Sequence, residues 1–294
     1  MELRFVKMHG LGNDFVVFED LASEIDLSPE AIAWFCDRHF GVGGDGIILV
    51  RPATTPDADY YMAYYNSDGS VAEMCGNGVR CFAKYCVDHG LISADRDELV
   101  VETLGGLKPI KVTRAYNNTL YLATVDMGEP VLDPATIPTT LRGAEGEPVI
   151  SRALETSAGT FDVTTVSMGN PHCIHWVDDV DCADVTEVGP IIETHPAFPA
   201  KTNVEFAQLS SDGVIRLRVW ERGCGETLAC GTGACATLVA ASLTGRVGRE
   251  ATIELPGGDL DVRWAEDNHV YMTGPAVEVF AGQITVDEDD DLDE

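Results

Sequence analysis

The feature that most constrains this chain is an internal repeat that places a cysteine before a Gly-x-Gly turn in each half. Cys75 precedes Gly-Asn-Gly and Cys230 precedes Gly-Thr-Gly, a separation of 155 residues, and an apolar stretch follows each turn. Asn66 and Glu221, each nine positions before its cysteine, extend the match. Because spacing and residue type recur together, we infer two structurally related domains, each about half of the chain.

Two further pairs of segments support the duplication. Gly12-Asn13-Asp14 matches Gly169-Asn170-Pro171 at an offset of 157 residues. Asp45–Val50 matches Asn203–Gln208 at an offset of about 158 residues. Three matches in the same order at nearly one offset are hard to obtain by chance. We therefore predict an N-terminal domain, a C-terminal domain, and a last segment that returns to the first domain and ends in an acidic tail, with these bounds: 1–126, 127–274 and 275–294.

Each half is predicted to contain many strands and few helices. Apolar runs and alternation predict strands over these segments: Leu3–Val6, Phe15–Phe18, Gly46–Val50, Tyr60–Tyr65, Leu99–Glu102, Ile110–Thr113, Thr119–Val125, Thr160–Ser167, His172–Val177, Val204–Gln208, Ile215–Trp220, Ala251–Glu254, Leu260–Trp264 and Val270–Thr273. A helix is predicted after each cysteine turn, over Val79–His89 and Ala234–Leu243, and smaller helices over Pro29–Asp37 and Val188–Glu193. We expect an α+β fold of two similar domains, each an antiparallel or mixed, barrel-like sheet around a central helix.

The duplicated cysteines indicate a specific chemistry. Backbone N–H groups at a helix start attract carboxylate or phosphate and increase the thiolate fraction of a nearby thiol. Inverting an amino acid requires removal of the α-proton on one face and addition of a proton on the other. A thiolate on one side and a thiol on the other accomplish both steps, and two helix starts holding the α-carboxylate stabilise the carbanion. Such a site requires no metal and no pyridoxal cofactor.

Eight motifs follow one another along almost the whole chain: Met8–Phe15, Asn66–Ser70, Cys75–Arg80, Met168–His172, Asn203–Phe206, Glu221–Thr227, Ala229–Ala234 and Leu255–Gly258. In these motifs and in their order, the chain resembles the diaminopimelate epimerase family. The resemblance implies a pyridoxal-independent isomerase that interconverts LL- and meso-2,6-diaminopimelate on the route to lysine. It also implies two similar domains with the site in the cleft between them.

Residue roles follow from the resemblance position by position. Cys75 and Cys230 correspond to the catalytic acid/base pair. The positions that correspond to substrate-binding residues are Asn13, Asn66, Gly76, Asn77, Asn170, Asn203, Glu221, Arg222, Gly231 and Thr232. His172 and Glu221 correspond to polar neighbours that tune the thiols. One position departs from the pattern, because Gly46 stands where many members place a substrate-contacting Gln.

Composition excludes other functions. The formal net charge of -30, with only five lysines among the cations, argues against binding to nucleic acid phosphates or anionic lipid. The acidic, lysine-poor composition is typical of a halophile-like surface.

No apolar run is long enough for a membrane span, and the N-terminus lacks a secretory signal. Nine cysteines without a scaffold spacing or a CxxC pair favour a cytoplasmic location and no metal site. We expect a small-molecule substrate, no cofactor and, as an open alternative to a monomer, a homodimer.

Three alternatives remain open from the residues. A related racemase acting on another amino acid, such as proline, shares the two-thiol chemistry. A cysteine hydrolase or acyltransferase would use one of the cysteines with His172 as base, but it leaves the repeat unexplained. A redox sensor would join Cys75 and Cys230 reversibly. The paired asparagines and Arg222 favour a substrate whose second end is also zwitterionic.

We expect activity to rise with salt concentration up to molar levels. A substrate with two carboxylates approaches a chain of net charge -30, and salt screens the long-range repulsion between them. Initial rates of epimerisation across a potassium chloride series test this expectation. Maximal activity at low salt would remove the inference.

Overall fold

A computed structural model describes residues 2–143 and 147–285. These residues pack as two compact units. The first comprises the described residues up to Val125 and those from Gly274 onward, and the second comprises Asp126–Thr273. The acidic tail predicted at the C-terminus lies outside the described residues from position 286 onward.

The elements in chain order are β1 (Glu2–Gly10), β2 (Asn13–Glu19), α1 (Pro29–Cys36), β3 (Gly46–Pro52), β4 (Tyr60–Asn66), α2 (Gly76–Asp88), β5 (Glu98–Thr103), β6 (Gly106–Arg114), β7 (Leu120–Asp126), β8 (Arg152–Thr156), β9 (Gly159–Ser167), β10 (Pro171–Trp176), α3 (Val185–Glu193), β11 (Asn203–Leu209), β12 (Ile215–Glu221), β13 (Gly225–Thr227), α4 (Gly231–Leu243), β14 (Glu250–Leu255), β15 (Gly258–Trp264), β16 (Val270–Gly274) and β17 (Val277–Thr285). All predicted strands and helices are present, although β8, β13 and β17 were not predicted.

The two units share one strand order. In the first unit the order is β17-β1-β2-β3-β4-β5-β6-β7, with parallel pairs at β2–β3 and β4–β5 and antiparallel pairs elsewhere. In the second it is β8-β9-β10-β11-β12-β14-β15-β16, with parallel pairs at β10–β11 and β12–β14. The order and the directions agree pair by pair, which confirms the prediction of two similar α+β domains. Strand β17 takes the place in the first unit that β8 takes in the second.

The strand pairing corrects one offset of the repeat. Phe15 pairs with Gly46 between β2 and β3, and His172 pairs with Asn203 between β10 and β11. Gly46 and Asn203 are therefore equivalent at an offset of 157 rather than about 158, the same offset that relates Asn13 to Asn170.

The central helix of each unit is buried almost all round. α2 packs against β1–β5 and β17, and α4 packs against β9–β11, β14 and β15. Both helices begin directly after the cysteine, which is the N-cap residue. The predicted starts at Val79 and Ala234 were therefore wrong by three residues, because the Gly-x-Gly segment forms the first turn of the helix. Sequence rules assign such glycines to loops, whereas burial against the sheet keeps them helical here.

Smaller helices cover the apolar core on the outer side of each sheet. α1 begins at Pro29 after Ser28, whose hydroxyl accepts from the Ala31 N–H at 3.1 Å, as predicted for this cap. Its core cluster includes Phe18, Phe35 and Leu49. α3 begins at Val185 rather than at Val188 and packs on β11–β13, so it was predicted one turn too short.

Strand β17 escaped prediction because its side chains are mostly exposed. Its sequence lacks the alternation of buried apolar and exposed polar residues that marks a half-buried strand, and Val279 and Phe280 are both exposed. The strand depends instead on its long antiparallel pairing with β1, where Gly282 lies opposite Phe5. A Cβ at Gly282 would lie 2.5 Å from the Phe5 ring, so this glycine makes room for the aromatic side chain.

Arg80 links the first turn of α2 to the segment that leads into β17. Its side chain is completely buried. The guanidinium donates to the Gly76 carbonyl at 3.1 Å, to Asn77 Oδ1 at 3.0 Å and to the Pro275 carbonyl at 3.2 Å. The returning segment is therefore held at the start of the central helix by a charged group with several acceptors.

We expect Arg80→Leu to lower the free energy of unfolding by about 3 kcal/mol or more, because it leaves buried acceptors without donors. Urea unfolding followed by circular dichroism measures the change. Arg4→Leu is the matched control, since Arg4 is exposed on β1 and its loss should cost no more than about 0.5 kcal/mol. Equal losses in the two variants would contradict the role assigned to Arg80.

Candidate active site

The first half-site is built at the start of α2. Cys75 is half-buried, and its Sγ accepts from the Gly78 N–H at 3.4 Å. Asn13, the first residue of β2, places Oδ1 3.6 Å from the same sulfur. The side chain of Asn77 donates to this Oδ1 at 3.1 Å. The structure therefore brings Asn13, Cys75 and Asn77 into one hydrogen-bonded group.

A carboxylate fixes the orientation of Asn13. Its Nδ2 donates to Asp45 Oδ2 at 2.7 Å, and the Asp14 N–H donates to the same oxygen at 3.1 Å. Because an ionised carboxylate only accepts hydrogen bonds, the Asn13 amide nitrogen must face Asp45. The amide oxygen consequently faces Cys75.

Two cations hold the carboxylates behind Asn13. Lys7 contacts Asp14 at 2.6 Å, and Arg38 contacts Asp14 at 2.7 Å and Asp45 at 2.8 Å. Burial alone would raise the pKa of Asp14, but hydrogen bonds from Arg38 and Lys7 lower it to about 2. Sequence analysis missed these four residues. The only signal was the position of Asp14 and Asp45 inside the repeated segments.

The Asn66 side chain forms its hydrogen bond to a residue outside this group. It ends β4, opposite Gly46, and its Nδ2 donates to Ser70 Oγ at 2.9 Å. Ser70 in turn donates to Asp68 at 2.5 Å. The N66-S-D-G-S70 motif is thus a self-contained turn that fixes the Asn66 side chain.

The second half-site is built at the start of α4. Cys230 is buried, and Thr232 Oγ1 lies 3.5 Å from its Sγ. Asn170 Nδ2 donates to the same hydroxyl oxygen at 3.3 Å. Burial raises the pKa of the Cys230 thiol well above its ordinary value, and the carboxylates of Glu221 and Glu205 act in the same direction. The Thr232 hydroxyl and the Gly233 N–H oppose this rise.

A buried acid–base pair lies beside Cys230. His172 on β10 and Glu205 on β11 are both fully buried, with Nδ1 and Oε1 2.6 Å apart. His172 Nε2 lies 2.9 Å from Asn170 Oδ1. Sequence analysis named His172 but missed Glu205. Its signal was a charged residue between Val204 and Phe206 in a strand that is otherwise buried on both faces.

Asn203, Arg222 and Glu221 surround the end of β12. Asn203 is buried, donates to the Pro171 carbonyl at 2.9 Å and accepts from the Arg222 N–H at 2.9 Å. The exposed Arg222 side chain donates to the Ala200 carbonyl at 3.1 Å. Glu221 accepts from Thr227 Oγ1 at 2.5 Å. Asn203 therefore ties the start of β11 to the backbone that carries Arg222.

Gly76 and Gly231 are the buried first residues of the two central helices. Their N–H groups lie in the first turn, where no intrahelical acceptor exists.

Within the described residues, no cluster of three or more His, Cys, Asp or Glu side chains is arranged to hold a metal ion. No helix in the described part of the chain is long and apolar enough to cross a membrane.

Comparison with known proteins identifies the family. Residues 5–132 and 164–279 match the family model described as diaminopimelate epimerase. The chain belongs to the diaminopimelate epimerase family. The diaminopimelate epimerase of Leptospira biflexa is 47% identical over 286 residues, covering 97% of this chain and 100% of the relative. That of Synechococcus elongatus is 51% identical over 287 residues, covering 97% and 99%.

Solved structures share the fold. A hydroxyproline epimerase from Agrobacterium vitis has a TM-score of 0.71 at 16% identity and covers 98% of this chain and 94% of its own. A probable proline racemase from Agrobacterium radiobacter has a TM-score of 0.71 at 17% identity, covering 99% and 95%. At these identities the similarity shows the fold alone. Family membership makes the chain an amino-acid epimerase, an isomerase, and supports an epimerase role in lysine biosynthesis.

The structure explains the glycine at position 46 of this family member. A Cβ at Gly46 would lie 2.4 Å from the Tyr65 carbonyl oxygen and 2.8 Å from Cε2 of Tyr64. The Tyr64 ring packs edge-on against Phe15, with ring centroids 5.8 Å apart, and occupies this space. Any side chain at position 46 must therefore displace both a backbone carbonyl and an aromatic ring.

We expect Gly46→Gln to lower the free energy of unfolding by about 1–3 kcal/mol, the usual cost of overpacking a core. Thermal unfolding by calorimetry measures the loss. Gly248→Gln is the matched control, because a Cβ at Gly248 meets nothing within 4 Å. A Gly46→Gln variant as stable as the control would show that the pocket has room for the glutamine.

Proposed function

We propose that this enzyme interconverts LL- and meso-2,6-diaminopimelate in lysine biosynthesis by two-base proton transfer between thiols, without a cofactor. The observation that carries the proposal is the duplicated cysteine. Cys75 and Cys230 are the N-cap residues of the central helices of two units with the same strand order. An enzyme that used a single nucleophilic thiol would need this N-cap cysteine in only one of the two units.

The reaction explains why both thiols are needed. Epimerisation exchanges the hydrogen on one α-carbon from one face to the other, so one group removes a proton while a second group delivers one. A thiol and a thiolate are interchangeable in these roles, and each direction of the reaction uses them in opposite order. The proposal therefore requires Cys75 and Cys230 to act on opposite faces of the same α-carbon.

The helix starts supply stabilisation for the carbanion. Removing the α-proton transfers negative charge onto the α-carboxylate of the substrate. The first-turn N–H groups of Gly76 with Asn77 and of Gly231 with Thr232 carry the partial positive charge of their helices. We propose that they bind this carboxylate, and that the stabilisation grows as charge develops.

The remaining polar residues bind the substrate. We assign substrate binding to Asn13, Asn66, Asn170 and Asn203, some of which hold the second amino-acid centre together with Arg222. Hydrogen bonds within each unit orient the four amides before the substrate arrives, which lowers the entropic cost of binding. No carboxylate among the described residues forms an ion pair with Arg222, so its guanidinium can bind a substrate carboxylate. We further propose that His172 and Glu221 tune the thiols.

The geometry disfavours the cysteine hydrolase alternative. Such an enzyme needs a histidine nitrogen directed at the nucleophilic sulfur. Both ring nitrogens of His172 face other partners, Glu205 Oε1 and Asn170 Oδ1. The proline racemase alternative shares the fold, so it is separated from the main proposal by substrate choice alone.

The proposed substrate is a small molecule. A homodimer, a cytoplasmic location and the absence of nucleic acid or membrane partners remain predictions from the sequence. The homodimer prediction is supported by three exposed apolar side chains on β17, namely Val277, Val279 and Phe280.

We expect the reduced wild-type protein to convert LL-diaminopimelate to the meso isomer in high salt, with EDTA present and no pyridoxal phosphate added. Cys75→Ala and Cys230→Ala should each lower the rate by about a thousandfold or more, because each removes one proton-transfer group. Chiral chromatography of the products measures both isomers. Cys81→Ala and Cys235→Ala are the matched controls, since these thiols are buried on the same two helices away from the cap and should leave the rate unchanged.

Each outcome decides one part of the proposal. Full activity in either cap variant would disprove the two-base assignment. Racemisation of proline by a folded protein that does not act on diaminopimelate would overturn the substrate. Activity that requires added pyridoxal phosphate would overturn the cofactor-independent mechanism.

A further inference from the structure

The segment that leads into each cysteine is held by a hairpin turn of its own unit. In the first unit the Gly105 N–H, between β5 and β6, donates to the Glu73 carbonyl at 3.0 Å. In the second unit the Gly257 N–H, between β14 and β15, donates to the Leu228 carbonyl at 2.9 Å. Each acceptor lies two residues before its cysteine. The same contact therefore recurs at the same place in both halves of the duplication.

The two turns have the same construction. Each is a two-residue connection closed by an antiparallel pair, Thr103 with Gly106 and Leu255 with Gly258. The closing glycines have φ values of 91° and 131°, in the region that favours glycine. β5 and β6 take the places in the first strand order that β14 and β15 take in the second. The motif Leu255–Gly258 is thus one of two equivalent turns that each contact a cysteine segment.

Each turn is made rigid in its own way. In the first turn, the buried Thr103 donates its Oγ1 hydroxyl to the Gly106 carbonyl at 2.8 Å. In the second turn, Pro256 fixes the backbone angle φ at the first of the two connecting residues. Both turns can therefore hold the adjacent carbonyl at a fixed place relative to the sheet.

The first turn approaches the cysteine segment closely. A Cβ at Gly105 would lie 3.3 Å from Met74 Cβ and 3.5 Å from the Glu73 carbonyl oxygen. Met74 directly precedes Cys75 in the chain. A larger side chain at position 105 would therefore push this segment away from the turn.

A third hairpin provides a comparison without a cysteine segment. The β8–β9 turn is closed by Thr156 and Gly159, and the Thr156 hydroxyl donates to the Gly159 carbonyl at 2.9 Å. The position that corresponds to Gly105 is the exposed Ala158, whose N–H donates to Thr156 Oγ1 at 3.1 Å, within the turn itself. A turn of this construction therefore accepts a side chain at this position when its N–H has a local partner.

The backbone at each helix cap makes the sulfur sensitive to the preceding segment. Both caps are extended, with φ −136° and ψ 122° at Cys75 and φ −122° and ψ 107° at Cys230. An N-cap residue lies at the edge of the helical hydrogen-bond pattern, so the segment before it helps to set where its side chain lies. The Cys75 sulfur lies 3.4 Å from the nitrogen of the Gly78 N–H, which stabilises a thiolate.

We propose that the turns at Gly105 and Gly257 are positioning elements for the two thiols. Each turn holds the carbonyl two residues before its cysteine and thereby fixes the sulfur at the first turn of its helix. The inference rests on the proposed two-thiol epimerisation, which needs each sulfur at a set place on its own side of the α-carbon. Neither glycine carries a reactive group, so both act through Cys75 and Cys230.

Alkylation of the thiols tests the positioning without depending on activity. The pH profile of iodoacetamide labelling at Cys75 is measured by peptide mass spectrometry, with the exposed Cys182 as internal reference. We expect Gly105→Val to raise the pH midpoint of Cys75 labelling by about one unit, because the sulfur moves away from the helix start. Ala158→Val is the matched control, since it places the same side chain in the β8–β9 turn, and it should leave the midpoint unchanged. An unchanged midpoint in folded Gly105→Val would overturn the proposal.

A milder pair of variants decides the question if Gly105→Val does not fold. Thr103→Val removes the hydroxyl that makes the first turn rigid, whereas Thr103→Ser keeps it. We expect the midpoint of Cys75 labelling to rise in Thr103→Val and to stay at the wild-type value in Thr103→Ser. Equal midpoints in these two variants would overturn the proposal.

Turnover tests the second turn. We expect Gly257→Val and Gly105→Val each to lower kcat on the order of tenfold or more, with a smaller change in KM, because a misplaced proton-transfer group slows the chemical step more than it weakens binding. Gly257→Val should leave the labelling of Cys75 unchanged, since its turn contacts the other cysteine segment. A folded Gly257→Val as active as Ala158→Val would overturn the role of the second turn. A wild-type protein without epimerase activity would instead defeat the proposed function, while the labelling of Cys75 would still decide the positioning.

Discussion

A cysteine at the N-cap of a buried helix is the constraint on which the rest of this structure depends. The N–H groups of the first turn have no partner within the helix, and burial removes the water that would otherwise satisfy them. Each unit places a cysteine at this cap, and in the first unit the Cys75 sulfur accepts from the Gly78 N–H at 3.4 Å. We propose that the same N–H groups that make the helix start costly to bury bind the carboxylate of the substrate.

Duplication explains much of the architecture, and the strand order shows how completely it was retained. The final strand β17 completes the first unit from the far end of the chain, and the completely buried Arg80 holds the segment that leads into it. The side chains around the two cysteines differ more than the backbone does. By strand register, the first unit has Phe15 and Ile48 where the second has His172 and Glu205. A common fold thus carries two cysteines with different surroundings.

The sequence predicts the repeated elements well because they are marked by rare combinations of residues. The cysteine with two glycines, the Gly-Asn pairs and the apolar strands each have a strong local signal. The helix starts were placed late because glycine is usually a helix breaker, and only packing against the sheet overrides that preference. β17 was missed because its residues pair through the backbone while their side chains face outward. Glu205, Asp45 and Arg38 were missed because their partners His172, Asn13 and Asp14 lie 33, 32 and 24 residues away in the chain.

The central claim is that two separate thiols move the proton. The most direct measurement follows the first turnovers in deuterated water by mass spectrometry, starting from protiated LL-diaminopimelate. Two bases predict that the meso product carries one deuterium from the first turnover, while the remaining substrate carries almost none. A single base would return the original protium to the product or exchange the substrate before product forms, and either result would contradict the account.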